Sequence, residues 1–322
     1  MHLDEIYQTV SADFEEVNQL INAQLNSRVP LVENIAQYIV ESGGKRMRPL
    51  LVLLSARALG YQGVQHIKLA TIIEFLHTAT LLHDDVVDTS ELRRGKSTAN
   101  AQWGNAPSVL VGDFLYSRAF QMMVEIGEMP IMDILANATN VIAEGEVFQL
   151  MNAKNPDVSE KNYFSVIESK TAMLFEAASH TGAMLASNDR EKQTALKVYG
   201  LQLGLAFQLI DDVLDYEGDT TIMGKNIGDD LAEGKPTLPL IHAMQHANER
   251  DRKIIRQAIR QGNVAAIDKI SEIVLQSGAL DYTKRRAIEC SEKAILALAK
   301  FEPSSHLDAL KALAHLSVHR NK

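Results

Sequence analysis

Apolar residues recur three and four positions apart along almost the whole chain, and that period limits the fold more than any other property of the sequence. In DEIYQTVSADFEEVNQLINAQL, Ile6, Val10, Phe14, Val17 and Ile21 share one helical side, and the same spacing returns in segment after segment. Stretches that alternate apolar and polar residues, as a half-buried strand does, are scarce. The breaks are short: SGGKRMRP at 42–49, GNAP at 104–107, NPDVSE at 155–160 and FEPSS at 301–305. One is long, EGDTTIMGKNIGDDLAEGKPTLP at 217–239, and connections of that length commonly serve as functional lids. No Ser/Gly-rich linker divides the chain, and 46% hydrophobic content over 322 residues supplies a large core. The expected architecture is all-α, a single domain over residues 1–322 with ten or more packed helices.

Charge and cysteine content narrow the partners. A formal net charge of -9 argues against nucleic acid, whose binders carry a basic surface to replace phosphate counterions. Cys290 is the sole cysteine, which excludes an internal disulfide and a cysteine-based zinc site and suits a reducing compartment. The N-terminal MHLDEIYQTV is acidic and periodic where a signal peptide is basic and then apolar. No apolar run approaches the roughly 18 residues of a membrane span. The expectation is a cytoplasmic protein without a transmembrane segment.

The stretch HTATLLHDDVVDTSELRRGK, residues 77–96, gathers both signs of charge. Its lead-in is helical, with Ile72, Phe75, Leu76, Ala79 and Leu82 on the apolar side, so Asp84, Asp85 and Asp88 fall at the C-terminal end. The helix dipole disfavours carboxylates there, and Asp84 and Asp88, four apart, repel each other. Hard cations relieve both costs: Mg²⁺ typically uses one or two carboxylates, keeps waters and takes its remaining oxygens from substrate phosphates. A lone DDxxD is as readily a solvated acidic face. This one recurs, as Asp211, Asp212 and Asp215 in QLIDDVLD, again after an apolar helical run. Two such helices facing across a bundle would hold several Mg²⁺ ions, and a polyphosphate would fill the open side. Arg93 and Arg94 then suit its oxygens. Asp85 and Asp212 lie to one side of the main face.

A second cationic cluster follows LVENIAQYIV. In SGGKRMRP, Gly43 and Gly44 are expected to end that helix and Pro49 to open the next. Lys45, Arg46 and Arg48 at a helix start make an anion site, while Arg46 reads as solvent-facing. With the paired aspartates, a second phosphate-bearing substrate is the better account of this cluster.

GGKRMRP, LLHDDVVD with RRGK, GDFLYSRAF, ESKTAMLFEAA, FQLIDDVLD and GKNIGDDLAEGKPTLP together resemble the motifs of the trans-isoprenyl diphosphate synthases, in that family's order and over most of the chain. The resemblance implies an isoprenoid-synthase helical bundle around a central active-site cavity, usually a homodimer. It also implies Mg²⁺-dependent head-to-tail condensation of an allylic diphosphate with isopentenyl diphosphate. Asp84, Asp88 and Asp211 would hold Mg²⁺, with Asp85, Asp212 and Asp215 as further candidate ligands. Lys170, Lys225 and Arg93 would add fixed positive charge at the departing allylic diphosphate, beside Thr171 and Gln208. Lys235 either binds phosphate or faces solvent. Lys45, Arg48, His77 and Arg94 would hold isopentenyl diphosphate, although a buried histidine bonded to a backbone carbonyl would look like His77 in sequence. In the family the released diphosphate is thought to take the proton.

Members of that family that stop at short products tend to carry an aromatic ring just before the first aspartate motif, so by the resemblance the small Ala79 and Thr80 imply an open tunnel and a long product, expected to be of eight isoprene units for a quinone side chain. Met123 reads as tunnel lining or core filler. Other lengths, including heptaprenyl, solanesyl and geranylgeranyl, remain alternatives, as do a terpene cyclase and a non-catalytic synthase subunit. A cyclase has no need of the GGKRMRP site, and a non-catalytic subunit usually lacks intact aspartate motifs. Release of a long product implies transient membrane contact. His83 and Trp103 are given no role.

Overall fold

The structure, a computed structural model, describes residues 1–217 and 228–320. Among these the backbone forms seventeen α-helices, a π-helical turn, a 3₁₀ turn and one two-stranded hairpin, so the expected all-α class holds. The chain divides into two compact units, each assembled from three stretches: 1–139, 174–200 and 297–313 in the first, and 140–173, 201–296 and the residues from Ala314 in the second. No helix of the described residues is long and apolar enough to cross a membrane.

The first unit opens with α1 (Leu3–Gln8) and α2 (Ser11–Gln24) where the apolar period suggests one helix. Ile6, Val10, Val17 and Ile21 are buried as that period requires. The helix breaks because the Thr9 hydroxyl donates to the Ile6 carbonyl at 2.7 Å and competes with the backbone ladder. After α3 (Pro30–Glu41), α4 (Met47–Ala58) starts two residues before the expected Pro49, which sits in the first turn where a missing N–H costs nothing. Residues 49–56 of α4 are all buried, as in a helix enclosed on every side.

The long α5 (Gln65–Val87) packs on α2, α4 and α7 (Asn105–Ile126), and Ile72, Phe75, Leu76, Ala79 and Leu82 on its apolar side are at most 1% exposed. Its other face, His77, Thr80, Asp84 and Asp88, is half-buried. Between α5 and α7 lie the hairpin β1 (Leu92–Arg93) and β2 (Lys96–Ser97) and the short α6 (Ala99–Trp103). Arg94 and Gly95 at the tip both have positive φ, 53° and 74°, the signature of the tight turn that matches strand twist.

A close helix crossing tests the packing. On α10 (Met173–Ala186), a Cβ at Gly182 would lie 2.7 Å from the Val52 carbonyl oxygen of α4, so Gly182→Ala must push the helices apart. The expected loss is about 1–3 kcal/mol in urea unfolding followed by circular dichroism.

The second unit takes in the C-terminal half of α8 (Met129–Asn152), α9 (Glu160–Ile167), the π turn Glu168–Ala172, and α11 (Arg190–Glu217) beyond residue 200. It continues with α12 (Asp229–Ala232), α13 (Leu238–His246), α14 (Glu249–Gln261), α15 (Ile267–Gln276) and most of α16 (Ala279–Ala297). The last helix, α17 (Ser305–Val318), is divided between the units at residue 313. One apolar cluster joins Tyr163 and Ile167 of α9 to Leu205 and Leu209 of α11, Leu238 of α13 and Cys290 of α16. A second holds Ile255 and Ile259 of α14 against Ile270 and Ile273 of α15 and Leu231 of α12.

Candidate active site

The SGGKRMRP break shapes the cationic site of the first unit. Gly43 and Gly44 have φ of 88° and 145°, and a Cβ on Gly44 would sit 2.5 Å from Arg94 Nη1, so the glycine lets the hairpin arginine lie against the main chain. Among the described residues the Arg94 guanidinium makes no hydrogen bond. Arg48, in the first turn of α4, reaches His77 on α5, with Nη1 3.1 Å from Nε2, and its guanidinium lies 4.4 Å from the centre of the Phe175 ring. Burial, and then the charges of Arg48, Arg94 and Arg93, holds the His77 pKa well below the usual range. The ring is therefore neutral at pH 7, and accepting from Arg48 at Nε2 places its proton on Nδ1. Lys45 is exposed at the rim, and its carbonyl accepts from the Tyr7 phenol.

Two neighbours of this cluster escape the sequence. Arg46 is not solvent-facing: its guanidinium donates to Asn18 Oδ1 and to the Val40 carbonyl at 3.5 Å, with Nε 3.9 Å from Glu74 Oε1. Glu74 is only 9% exposed among these arginines. Nothing marks it in sequence, because a single glutamate on an apolar helix gains meaning only from arginines 20 and more positions away.

Asp84 and Asp88 occupy the last turn and C-cap of α5, half-buried, with the Asp88 N–H bonded to the Asp84 carbonyl at 2.8 Å. Asp85 points the other way and is 0% exposed, its Oδ1 accepting from Arg93 Nε at 2.9 Å and Nη2 at 2.7 Å. Consecutive arginines part at the end of the strand: Arg93, its last residue, reaches Asp85, and Arg94, the first turn residue with φ of 53°, lies towards Gly44. The buried Asp85 and its Arg93 pair are thus engaged with each other. Among the described residues no group of three or more His, Cys, Asp or Glu side chains is gathered closely enough to hold a metal. An oxygen-only donor set from two carboxylates one turn apart suits a hard cation that completes its shell with phosphate and water.

In the second unit Asp211, Asp212 and Asp215 lie near the end of α11. Asp211 is exposed on one side, and its Oδ1 accepts from Arg320 Nη2 at 2.7 Å, the same guanidinium stacking 3.7 Å from the centre of the Phe207 ring. Asp215 is buried. Asp212 is 1% exposed and accepts from the Tyr163 phenol at 2.6 Å and from Gln208 Nε2 at 2.8 Å, while Gln208 Oε1 accepts from the Thr171 hydroxyl at 2.8 Å. Burial, then the charge of Asp230, raises the Asp212 carboxyl well above the usual range against those two hydrogen bonds.

Asp212, Tyr163, Gln208 and Thr171 line a cavity of about 130 Å³ with Lys170, Lys235, Asp230 and Thr237. Lys170 lies in the π turn, its Nζ 2.7 Å from Glu146 Oε2. Such a turn inserts a residue into the helix and re-aims the side chains that follow it. Lys235 pairs with Glu233 and lines the cavity. Lys225 and residues 218–227 of the expected lid lie outside the described residues.

The sequence from residue 29 to 275 matches the family described as polyprenyl synthetase. The chain belongs to the polyprenyl synthetase family. It is 53% identical over 322 residues to octaprenyl diphosphate synthase of Haemophilus influenzae, covering 100% of this chain and 98% of that one. Against octaprenyl diphosphate synthase of Escherichia coli it is 51% identical over 323 residues, with 100% of both chains covered. A polyprenyl synthase from Caulobacter crescentus, solved complexed with calcium and isoprenyl diphosphate, superposes with a TM-score of 0.97 at 46% identity, over 100% of this chain and 98% of that one. A decaprenyl diphosphate synthase from Rhodobacter capsulatus gives 0.94 at 42%, with 100% of both chains covered.

As a polyprenyl synthetase the chain is a prenyl-transferring enzyme, and the remaining singled-out residues can be placed in that light. In the first unit Thr80 lies on the half-exposed face with His77 and Asp84, its hydroxyl donating to the His77 carbonyl at 2.7 Å, whereas Ala79 and Met123 are buried. His83 Nε2 sits 3.2 Å from the Val109 carbonyl and 3.3 Å from Asp113, and Trp103 packs edge-on to Tyr38. Both read as packing contacts between helices of the polyprenyl synthetase. Tyr163, Glu146 and Arg320 were not legible as site residues: each acts through a partner 24 or more positions away.

Proposed function

We propose that this polyprenyl synthetase is a long-chain trans-polyprenyl diphosphate synthase, adding isopentenyl diphosphate head-to-tail to an allylic diphosphate such as farnesyl diphosphate and giving octaprenyl diphosphate for a quinone side chain. The observation that carries the reading is the cationic cluster of Lys45 and Arg48 at the start of α4, Arg94 of the hairpin and neutral His77, the last on the same helix, α5, that bears Asp84 and Asp88. The names of the full-length relatives from H. influenzae and E. coli support the eight-unit product. Their alignment along the whole chain supports treating residues 1–322 as one synthase domain.

Each residue has a physical task. Arg48 and Arg94 present forked donors to a diphosphate, Lys45 adds charge at the rim, and His77, neutral, orients Arg48 without adding repulsion. Asp84, Asp88, Asp211 and Asp215 are assigned to Mg²⁺, which when bound neutralises the departing diphosphate as a Lewis acid. Asp85 and Asp212, engaged by Arg93 and by Tyr163 and Gln208, hold those groups in place. Lys170, Thr171, Gln208 and Lys235 take the allylic diphosphate, Lys225 being assigned by motif alone. The allylic C–O bond ionises, the isopentenyl double bond attacks the allylic carbon, and a proton leaves to the released diphosphate. The enzyme works as a homodimer in the cytoplasm and meets the membrane when it releases its apolar product.

Incubation with farnesyl diphosphate, radiolabelled isopentenyl diphosphate and Mg²⁺, followed by sizing of the dephosphorylated chains, is expected to give one predominant long product. No incorporation, or cyclised hydrocarbon, overturns the proposal. The two substrates separate further by mutation. Lys45→Ala and Arg48→Ala are expected to raise KM for isopentenyl diphosphate by roughly 10- to 150-fold, the equivalent of about 1.5–3 kcal/mol for a charge-assisted contact, and to spare the allylic KM. Lys170→Ala is expected to do the reverse. Equal effects of all three on both substrates would defeat the assignment of two sites.

A further inference from the structure

We propose that Glu74 is the proton-accepting counter-charge of the isopentenyl diphosphate site: ionised when the site is empty, it takes up a proton as the diphosphate enters. The inference rests on the assignment of that site to a diphosphate and goes beyond it to how the binding energy depends on protons.

The geometry is unusual for a buried ion pair. Glu74 projects from α5 one turn before His77 and is 9% exposed. Its nearest cation is Arg46, with Nε at 3.9 Å, and its Oε2 is buried without a hydrogen-bond partner. Arg46 spends its terminal nitrogens on Asn18 and Val40 instead. The carboxylate therefore lowers the mutual repulsion of Arg46, Arg48 and Arg94 without saturating their donors. The charges that act on it come from three directions: Arg46 from the loop before α4, Arg48 from α4 and Arg94 from the hairpin. Tyr7 on α1 faces it as a phenol raised to about 12, mainly by burial and then by Glu74 itself, and stays neutral. His77 on its own helix is neutral as well.

A diphosphate entering among these arginines reverses the balance. Its negative charge replaces that of Glu74 as partner of the guanidinium groups and repels the carboxylate, so the neutral carboxyl is favoured in the bound state. Burial already pushes the Glu74 pKa up, against the three arginines, which leaves the group within reach of protonation. The sign follows: the bound-state pKa lies above the free-state value, so affinity is highest below the free-state pKa and falls as pH rises towards the bound-state pKa. Within that window the fall is about tenfold per pH unit for one proton.

Titration calorimetry of the full-length enzyme with isopentenyl diphosphate, in two buffers of different ionisation enthalpy, counts the protons. The wild type is expected to take up more than Glu74→Gln does, and Glu74→Gln is expected to bind at least as tightly at alkaline pH with a flatter pH profile. Glu74→Asp keeps the uptake. An equal proton count in wild type and Glu74→Gln overturns the role of Glu74 and leaves the site assignment standing. No binding by the wild type overturns the site assignment itself. Should Glu74→Gln fail to fold, the infrared difference spectrum of the wild type on binding decides. A new protonated-carboxyl band that shifts in Glu74→Asp supports the proposal, and its absence defeats it.

Discussion

Asp84→Ala is expected to lower turnover about a thousandfold, the equivalent of about 4 kcal/mol in the barrier, with little change in Tm. Asp84 contributes to no apolar cluster, lies half-buried at the end of α5, and shares a helical face with Asp88 four residues on. Two carboxylates there oppose each other and the helix dipole, so removing one relieves strain in the folded state while deleting the cation's oxygen. Asp211→Ala is expected to act in the same direction. Asp85→Ala should differ in kind: it strips the partner from Arg93 at a site 0% exposed, so stability falls as well as turnover. Steady-state turnover alongside thermal unfolding checks all three. Near-normal turnover in folded Asp84→Ala would sink the metal assignment.

The other large effect concerns product length. A chain anchored by its diphosphate near Asp84 grows along α5 towards the N-terminus, at about 1.5 Å per residue, and meets the level of Thr80 and Ala79 within about a turn and a half. Ala79→Tyr is expected to leave the first condensations intact and stop elongation several units early. The structure sharpens this test. Ala79 is 0% exposed, so if no tunnel passes it the phenol must force apart a packed core, at about 1–3 kcal/mol, with no change in product. Thr80 lies on the half-exposed face and is the better position for a wall if the chain follows that face. Chromatography of the dephosphorylated products from Ala79→Tyr and Thr80→Tyr separates the two routes. Full-length product from both, in active enzyme, would place the tunnel elsewhere.

The sequence reveals what depends on local spacing. The apolar stripe of α5, the aspartates at its end and the glycine break before α4 all follow from period, dipole and turn chemistry. Where side chains bond to their own backbone the period misleads, as at Thr9, where α1 and α2 part. The π turn at Glu168–Ala172 is equally silent, since ESKTA reads as ordinary helix. Contacts made across the fold are the larger gap. Asp85 and Asp212 look like lesser copies of their neighbours until Arg93 and Tyr163 are seen against them. Glu74 looks like an anomaly on an apolar helix until three arginines surround it.

The hairpin at residues 92–97 makes the spacing of Arg93 and Arg94 matter as much as their charge. Its turn holds only Arg94 and Gly95, and each strand only two residues, so the last strand residue carries the contact to Asp85 and the first turn residue, with its positive φ, the contact to Gly44. One inserted residue would turn both arginines at once, leaving Asp85 buried without its cation and drawing Arg94 away from the main chain it lies on. A single length change here is thus a double mutation in effect. Along a lineage the two arginines and the size of the turn should vary together or not at all, even where each substitution alone would be mild.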